Sequence, residues 1–228
     1  MDTRRLIFGI LFACIVALLL VVLNADKRYS RGASSHQMAV DSFFLALIFV
    51  MGLVPQFGYI TIFPGFSLTL VHIPVLIGAY LYGPKKGALY GFFFGLTSFL
   101  AALLQPVGFN GFFVYPWVSI PSRVLFGFLA GLIFLLERKN TKIYTNGFAI
   151  GATSFVLTCV HTVLVFLDLY VFFPSETKAF LFANTTLGTS LVVLVLGFLA
   201  IGMAGEATLA SIVVPVTGKS VLRFARNK

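Results

Sequence analysis

Between Asp41 and Lys85 the chain carries no Asp, Glu, Lys or Arg, a stretch long enough for two passes through a bilayer. Few folds can hide that much uncharged chain from water. Soluble domains carry roughly 25% charged residues, whereas this one has 10%, against 59% hydrophobic residues. A surface facing lipid removes the need for polar cover. Lipid also forbids unpaired backbone N–H and C=O groups, so only helices or a closed barrel can cross it. The apolar runs are continuous and do not alternate at period two, which selects helices. The composition predicts an all-α integral membrane protein.

The breakers and basic clusters divide the runs. An apolar segment over residues 6–24 follows Arg4 and Arg5. It is longer than a usual signal-peptide core and lacks a small-residue cleavage site, so it is expected to be a retained transmembrane helix. Pro55, Gly58, Pro64 and Gly65 split the next region into helices near 39–53 and 68–81. Further spans are expected near 87–104, 118–136 and 148–173. The stretch 179–218 is too long for one simple span, and a break is expected near Gly202–Gly205. Residues 1–38 therefore read as an extra helix and basic linker, and 39–228 as the main membrane domain with a basic tail.

The net charge of +9 is distributed in short clusters between the spans, at Lys27/Arg28/Arg31, Lys85/Lys86, Arg138/Lys139/Lys142 and the C-terminal end. Loops on the cytoplasmic side of a membrane look like this, so the clusters orient the spans with both ends of the main domain inside. Nucleic acid binding would need the basic residues gathered on one soluble face, and is not expected. Cys14 and Cys159 both fall in apolar runs and read as small buried hydrophobes. No Walker loop, zinc-protease motif, nucleophile elbow or carboxylate cluster is present, so neither catalysis nor a cofactor is expected. If the chain moves a solute uphill with ATP, another subunit must hydrolyse it.

Polar groups at membrane depth are costly, and mark function by default. Arg123 lies just inside its span, after Pro121. Two readings are open: a structural pair with Asp168 at similar depth, or a cavity-facing cation that holds an anionic ligand group. His161 is mid-helix, two turns before Asp168 on about the same face, and His72 starts its helix. Glu206 either caps the N-terminus of a last helix segment or lines a site. The uncharged loop 105–117, with Tyr115 and Trp117, suits an interface or a lid. Gly87, Gly91 and Gly95 recur every four residues, with Gly127 and Gly131 repeating the pattern and Ser42 and Ala46 a weaker form. Such stripes let helix backbones approach closely, either within the bundle or against a partner subunit.

One stretch is specific. The run LTLVHIPVLIGAYLYGPKKG over residues 68–87, followed by GFFFGLTS over 91–98, resembles the substrate-binding S components of energy-coupling-factor (ECF) transporters. The TCVHTVLV core around His161 and the end from Gly205-Glu206-Ala207 to Val214-Pro215 are similar to the family's fifth and last helices; the family often has Asn where this chain has His161. The resemblance covers about residues 42–223. It implies a six-helix bundle, here with one extra N-terminal transmembrane helix, in the plasma membrane of a bacterium. It implies partners as well: a transmembrane coupling subunit and two ATP-binding-cassette ATPases, docked through small residues on the first and third helices. Gly87, Gly91 and Gly95 fit that docking role, and Ser42 and Ala46 only approximately. The His-Ile-Pro-Val and Gly-Pro-Lys pattern looks most like pantothenate-type members. Arg123, His161, Asn110, Thr97, His72, Tyr115, Trp117 and Glu206 are then the expected ligand residues. Folate, hydroxymethylpyrimidine or pyridoxine remain as alternative cargoes, and a non-transporting scaffold as an alternative role.

Overall fold

The computed structural model describes residues 35–63, 66–106, 108–176 and 191–226. The expected N-terminal helix and the loop after residue 176 lie outside them. In chain order the elements are α1 (Ser35–Leu53), a short turn of helix α2 (Pro55–Gly58), strands β1 (Tyr59–Phe63) and β2 (Phe66–Thr69), and α3 (His72–Tyr82). Then come α4 (Pro84–Leu104), a 3-10 segment (Gly108–Val114), α5 (Pro116–Ser119), α6 (Pro121–Glu137), α7 (Thr141–Thr145), α8 (Gly147–Phe172) and α9 (Leu191–Arg226).

Helices carry the fold. Among the described residues three stretches are long and apolar enough to cross a membrane: Pro84–Leu104, Pro116–Glu137 and Gly147–Phe172. Each matches an expected span to within a few residues. Along α8 the large apolar side chains of Phe148, Val156, Val163 and Leu167 stand exposed, with Phe148 at 85%. A water-soluble surface does not present such a row, whereas a lipid-facing one does. Inside the bundle Tyr80, Tyr90, Phe94, Phe126 and Phe134 are fully buried.

Two features depart from the sequence expectation. Residues expected to be an irregular link and the start of a helix form an antiparallel hairpin, with Tyr59 opposite Thr69 and Phe63 opposite Phe66. The segment YITIF is aromatic and β-branched, so it pairs as a strand with FSLT instead of ending a helix there. The expected break near Gly202–Gly205 is also absent. α9 runs unbroken from Leu191 to Arg226, about 54 Å at ~1.5 Å per residue, with Pro215 inside it. Gly205 is there for close packing, because a Cβ on it would stand 2.8 Å from the Leu68 side chain.

α4 packs most extensively against α6, and α9 against α8. The α4–α6 contact is made by glycine. A Cβ on Gly87 would stand 2.1 Å from the Gly127 carbonyl oxygen, one on Gly91 2.2 Å from that of Arg123, and one on Gly131 2.4 Å from Pro84 Cα. These are backbone-to-backbone contacts that no other residue allows. The stripe is thus occupied within the chain, and docking a partner through the same glycines would require α4 and α6 to part.

The turn between α3 and α4 uses Gly83 at φ +81°, a conformation L side chains rarely adopt, and Pro84 then starts α4. Arg138 closes this end of the bundle: its Nη2 donates to the carbonyls of Tyr80 (2.8 Å) and Leu81 (2.7 Å) at the end of α3. Its guanidinium also lies over the Tyr144 ring at 5.1 Å. Tyr80 and Tyr144 each donate a hydroxyl to the other's carbonyl. Arg138→Ala is expected to lower stability by about 1–3 kcal/mol, since the Leu81 carbonyl would be orphaned and the Tyr80 carbonyl would keep only the Tyr144 hydroxyl, read as a drop in melting temperature in detergent. Ligand affinity should not change, because the candidate site is at the other end.

Candidate functional site

The antiparallel run of the helices gathers particular ends. His72 opens α3, Arg123 is in the first turn of α6, and Asp168 is in the last turns of α8. All three fall at the end of the bundle opposite Gly83. Glu206 reaches the same region from the middle of α9, and the hairpin brings Tyr59 and Thr69.

Arg123 is 5% exposed. Its Nη1 donates to the Ser119 carbonyl at 2.7 Å and to Ser122 Oγ at 3.5 Å. Its guanidinium lies 4.5 Å from the Phe113 ring centroid and 5.2 Å from that of Phe94. The two rings favour the cation electrostatically but supply no hydrogen-bond acceptor. Nε has no partner among the described residues. The charge of Arg123 acts on Tyr59, Asp168 and Glu206, which all stand near it.

The expected structural pair with Asp168 takes a looser form. Ser122 Oγ donates to the Val118 carbonyl at 3.3 Å, and Asp168 Oδ2 is buried without a partner among the described residues. Donor and acceptor therefore stand near one another, each with unused capacity.

The histidines extend the cluster. His72 donates from Nδ1 to the Thr69 carbonyl at 2.6 Å, and its Nε2 has no described partner. Its ring stacks on His161 with centroids 6.0 Å apart and 16° between planes. His161 also meets Phe126 at 4.7 Å and Phe94 at 5.4 Å, and neither of its nitrogens has a described partner. Glu206 accepts a hydrogen bond from the Thr69 N–H. This replaces the expected helix cap: in an unbroken α9 no helix N-terminus lies beside Glu206, and its carboxylate holds the hairpin instead.

Four expected site residues thus converge: Arg123, His161, His72 and Glu206. The structure does not bring the other four to them. Thr97 is fully buried, returns its hydroxyl to the Phe94 carbonyl and packs on Gly52 of α1. Asn110 donates to the Gln105 carbonyl within its own loop. Tyr115 lies with Trp117 and Phe173 in an aromatic group, ring centroids 5.1 Å apart in both pairs. Tyr59, Ser98, Ser122, Phe94 and Phe113 join the cluster without having been expected there. Among the described residues no group of three or more His, Cys, Asp and Glu could hold a metal ion.

Buried polar atoms in native proteins are nearly always paired, so several left open in one place call for a guest that pairs them. A donor cation, a carboxylate and two imidazoles among aromatic rings suit a small polar molecule with an anionic group. No nucleophile–base pair is assembled.

Comparison with known proteins agrees with a binding role. Residues 36–215 match the family of ECF transporter substrate-specific components. The chain belongs to this family. An S component binds substrate for transport and is not an enzyme. This S component is 30% identical over 162 residues to the pantothenic acid transporter PanT of Lactococcus lactis subsp. cremoris, a match covering 64% of this chain and 78% of that protein. It is also 30% identical over 135 residues to the pantothenate transporter PanT of Leuconostoc mesenteroides, covering 56% and 66% respectively.

Proposed function

We propose that this S component binds pantothenate at the Arg123 cluster and delivers it to a transport complex in a bacterial cell membrane. The observation that carries the reading is Arg123 itself: a buried guanidinium with an open Nε, held between two phenyl rings and near unpaired His and Asp groups. Pantothenate offers a carboxylate for the guanidinium and an amide and hydroxyls for the rest. Charge-assisted bonds to a planar cation suit the carboxylate. Both PanT relatives carry pantothenate in their names, which supports the same cargo here.

Transport needs energy from elsewhere, since the chain has no nucleotide-binding loop. The reading assigns that work to two ATPase subunits acting through a transmembrane coupling subunit. Of the small residues expected to dock it, Ser42 and Ala46 face outward on α1, while Gly87 and Gly91 are covered by α6 and Gly95 by Ser119 and Ile120 just before it. The α1 face is the one open to a partner.

Radiolabelled pantothenate uptake into proteoliposomes is the test of transport. Vesicles holding this chain, a coupling subunit and both ATPases should accumulate label only with ATP inside the compartment the ATPases face. Equal label with and without the ATPases, or none when the complex is intact, would sink the transport reading.

A further inference from the structure

Asp168 is a buried acid with no assigned task. It is 8% exposed, and Oδ2 has no hydrogen-bond partner among the described residues. The nearby Arg123 does not use its donors on it, because Nη1 bonds to Ser119 and Ser122 and Nε is open. A structural ion pair would have joined these two groups. Instead an unpartnered donor and an unpartnered acceptor stand at the same end of the bundle. A bound carboxylate placed near Asp168 would meet a like charge, which is costly in a desolvated site. The anionic end of a ligand is therefore directed to the open side of Arg123, and the end bearing neutral donors to Asp168.

We infer that Asp168 is a specificity-determining residue, whose carboxylate accepts a hydrogen bond from a hydroxyl of the ligand and so sets its orientation. The inference rests on the pantothenate reading and deepens it: the site selects a hydroxylated monocarboxylate over the same acid without the hydroxyl. A site built to bond a hydroxyl rejects the analogue lacking it, because the buried acceptor is then left unpaired.

The test is a cycle crossing protein and ligand. Dissociation constants are measured by calorimetry on the purified full chain for pantothenate and two analogues, each lacking one hydroxyl. Wild-type protein and Asp168→Ala are compared, with Asp168→Asn as a near-isosteric variant in case alanine destabilises the fold. Asp168→Ala should weaken pantothenate roughly 10- to 100-fold, the range for a hydrogen bond to a charged group. It should weaken one of the deoxy analogues by less than about threefold, since that contact is already gone. Asp168→Asn keeps an accepting oxygen and should show the same pattern with a smaller loss. Equal weakening of all three ligands, or no weakening, overturns the assignment while leaving pantothenate as the cargo. Wild-type protein that binds no pantothenate overturns the functional reading and this inference with it.

Discussion

Arg123→Ala is expected to raise the dissociation constant for pantothenate by at least about 100-fold, with little change in melting temperature. The two results belong together. A buried charge placed for structure would be hydrogen-bonded through all its donors, and losing it would orphan its partners at a cost of ~3–5 kcal/mol. Here the protein meets Arg123 through one nitrogen and two aromatic faces, and Nε is open. Removing it costs the fold a bond to the Ser119 carbonyl, a long one to Ser122 Oγ and the two ring contacts, offset by relief of a buried cation. The ligand would lose its only cationic contact among the cluster's described residues, which charge-assisted bonding makes worth about 3 kcal/mol or more. Arg123→Lys should recover part of the affinity at most, since a point charge cannot reproduce the planar fork. Trp117 is the chain's single tryptophan and gives an intrinsic fluorescence probe for the titrations. A variant that melts far lower, yet binds normally when folded, would return Arg123 to a structural role.

The second large effect is in the glycine stripe. In an ordinary helix Gly→Ala stabilises by about 1 kcal/mol through backbone entropy. At Gly91 the new methyl would stand 2.2 Å from the carbonyl oxygen of Arg123 and 3.2 Å from Val124 Cα. Neither is a side-chain tip that can swing aside, so α6 would have to move away from α4. The overlap outweighs the propensity gain, and Gly91→Ala is expected to destabilise by about 3 kcal/mol or more. Affinity should fall with it, because the displaced backbone is that of Arg123. Gly111→Ala is the control, with its nearest neighbour, the Pro106 oxygen, at 3.4 Å. Melting and binding measured on the same preparations would show both losses for Gly91→Ala and neither for Gly111→Ala. An unchanged melting temperature in Gly91→Ala would mean that α4 and α6 are not in contact along this stripe.

The legibility of the sequence follows from how strongly each physical constraint acts. Lipid demands long uninterrupted apolar helices, so α4, α6 and α8 could be read almost to their ends. The hairpin could not, because Pro55, Pro64 and Gly65 mark a turn without saying what flanks it, and aromatic residues are everywhere in a chain with 27 Phe. The same weakness hid the end of α9: glycine breaks one helix and lets another pack closely, and only the neighbour decides. At Gly205 the neighbour is Leu68.

The site divides in the same way. Arg123, His161, His72 and Glu206 were legible because a polar group at membrane depth is costly and demands a reason. Thr97, Asn110, Tyr115 and Trp117 could not be judged, since they turn on helix rotation and loop path. A threonine one step round the helix from Ser98 packs on α1, whereas Ser98 meets Tyr59. Phe94 gave no signal, because nothing in a phenyl group announces a cation above it, and Phe113 stood out only as one aromatic of the loop 105–117.

The central claim is that the open polar atoms around Arg123 form a binding site for pantothenate. Isothermal titration of the purified, detergent-solubilised full chain with a panel of B vitamins and precursors tests it most directly. The account predicts saturable one-to-one binding of pantothenate at roughly micromolar affinity or tighter, about −8 kcal/mol, and none of comparable strength for folate, hydroxymethylpyrimidine or pyridoxine. Tight binding of one of those three instead would keep the S component and correct its cargo. Folded protein that binds none of the panel would contradict the claim itself.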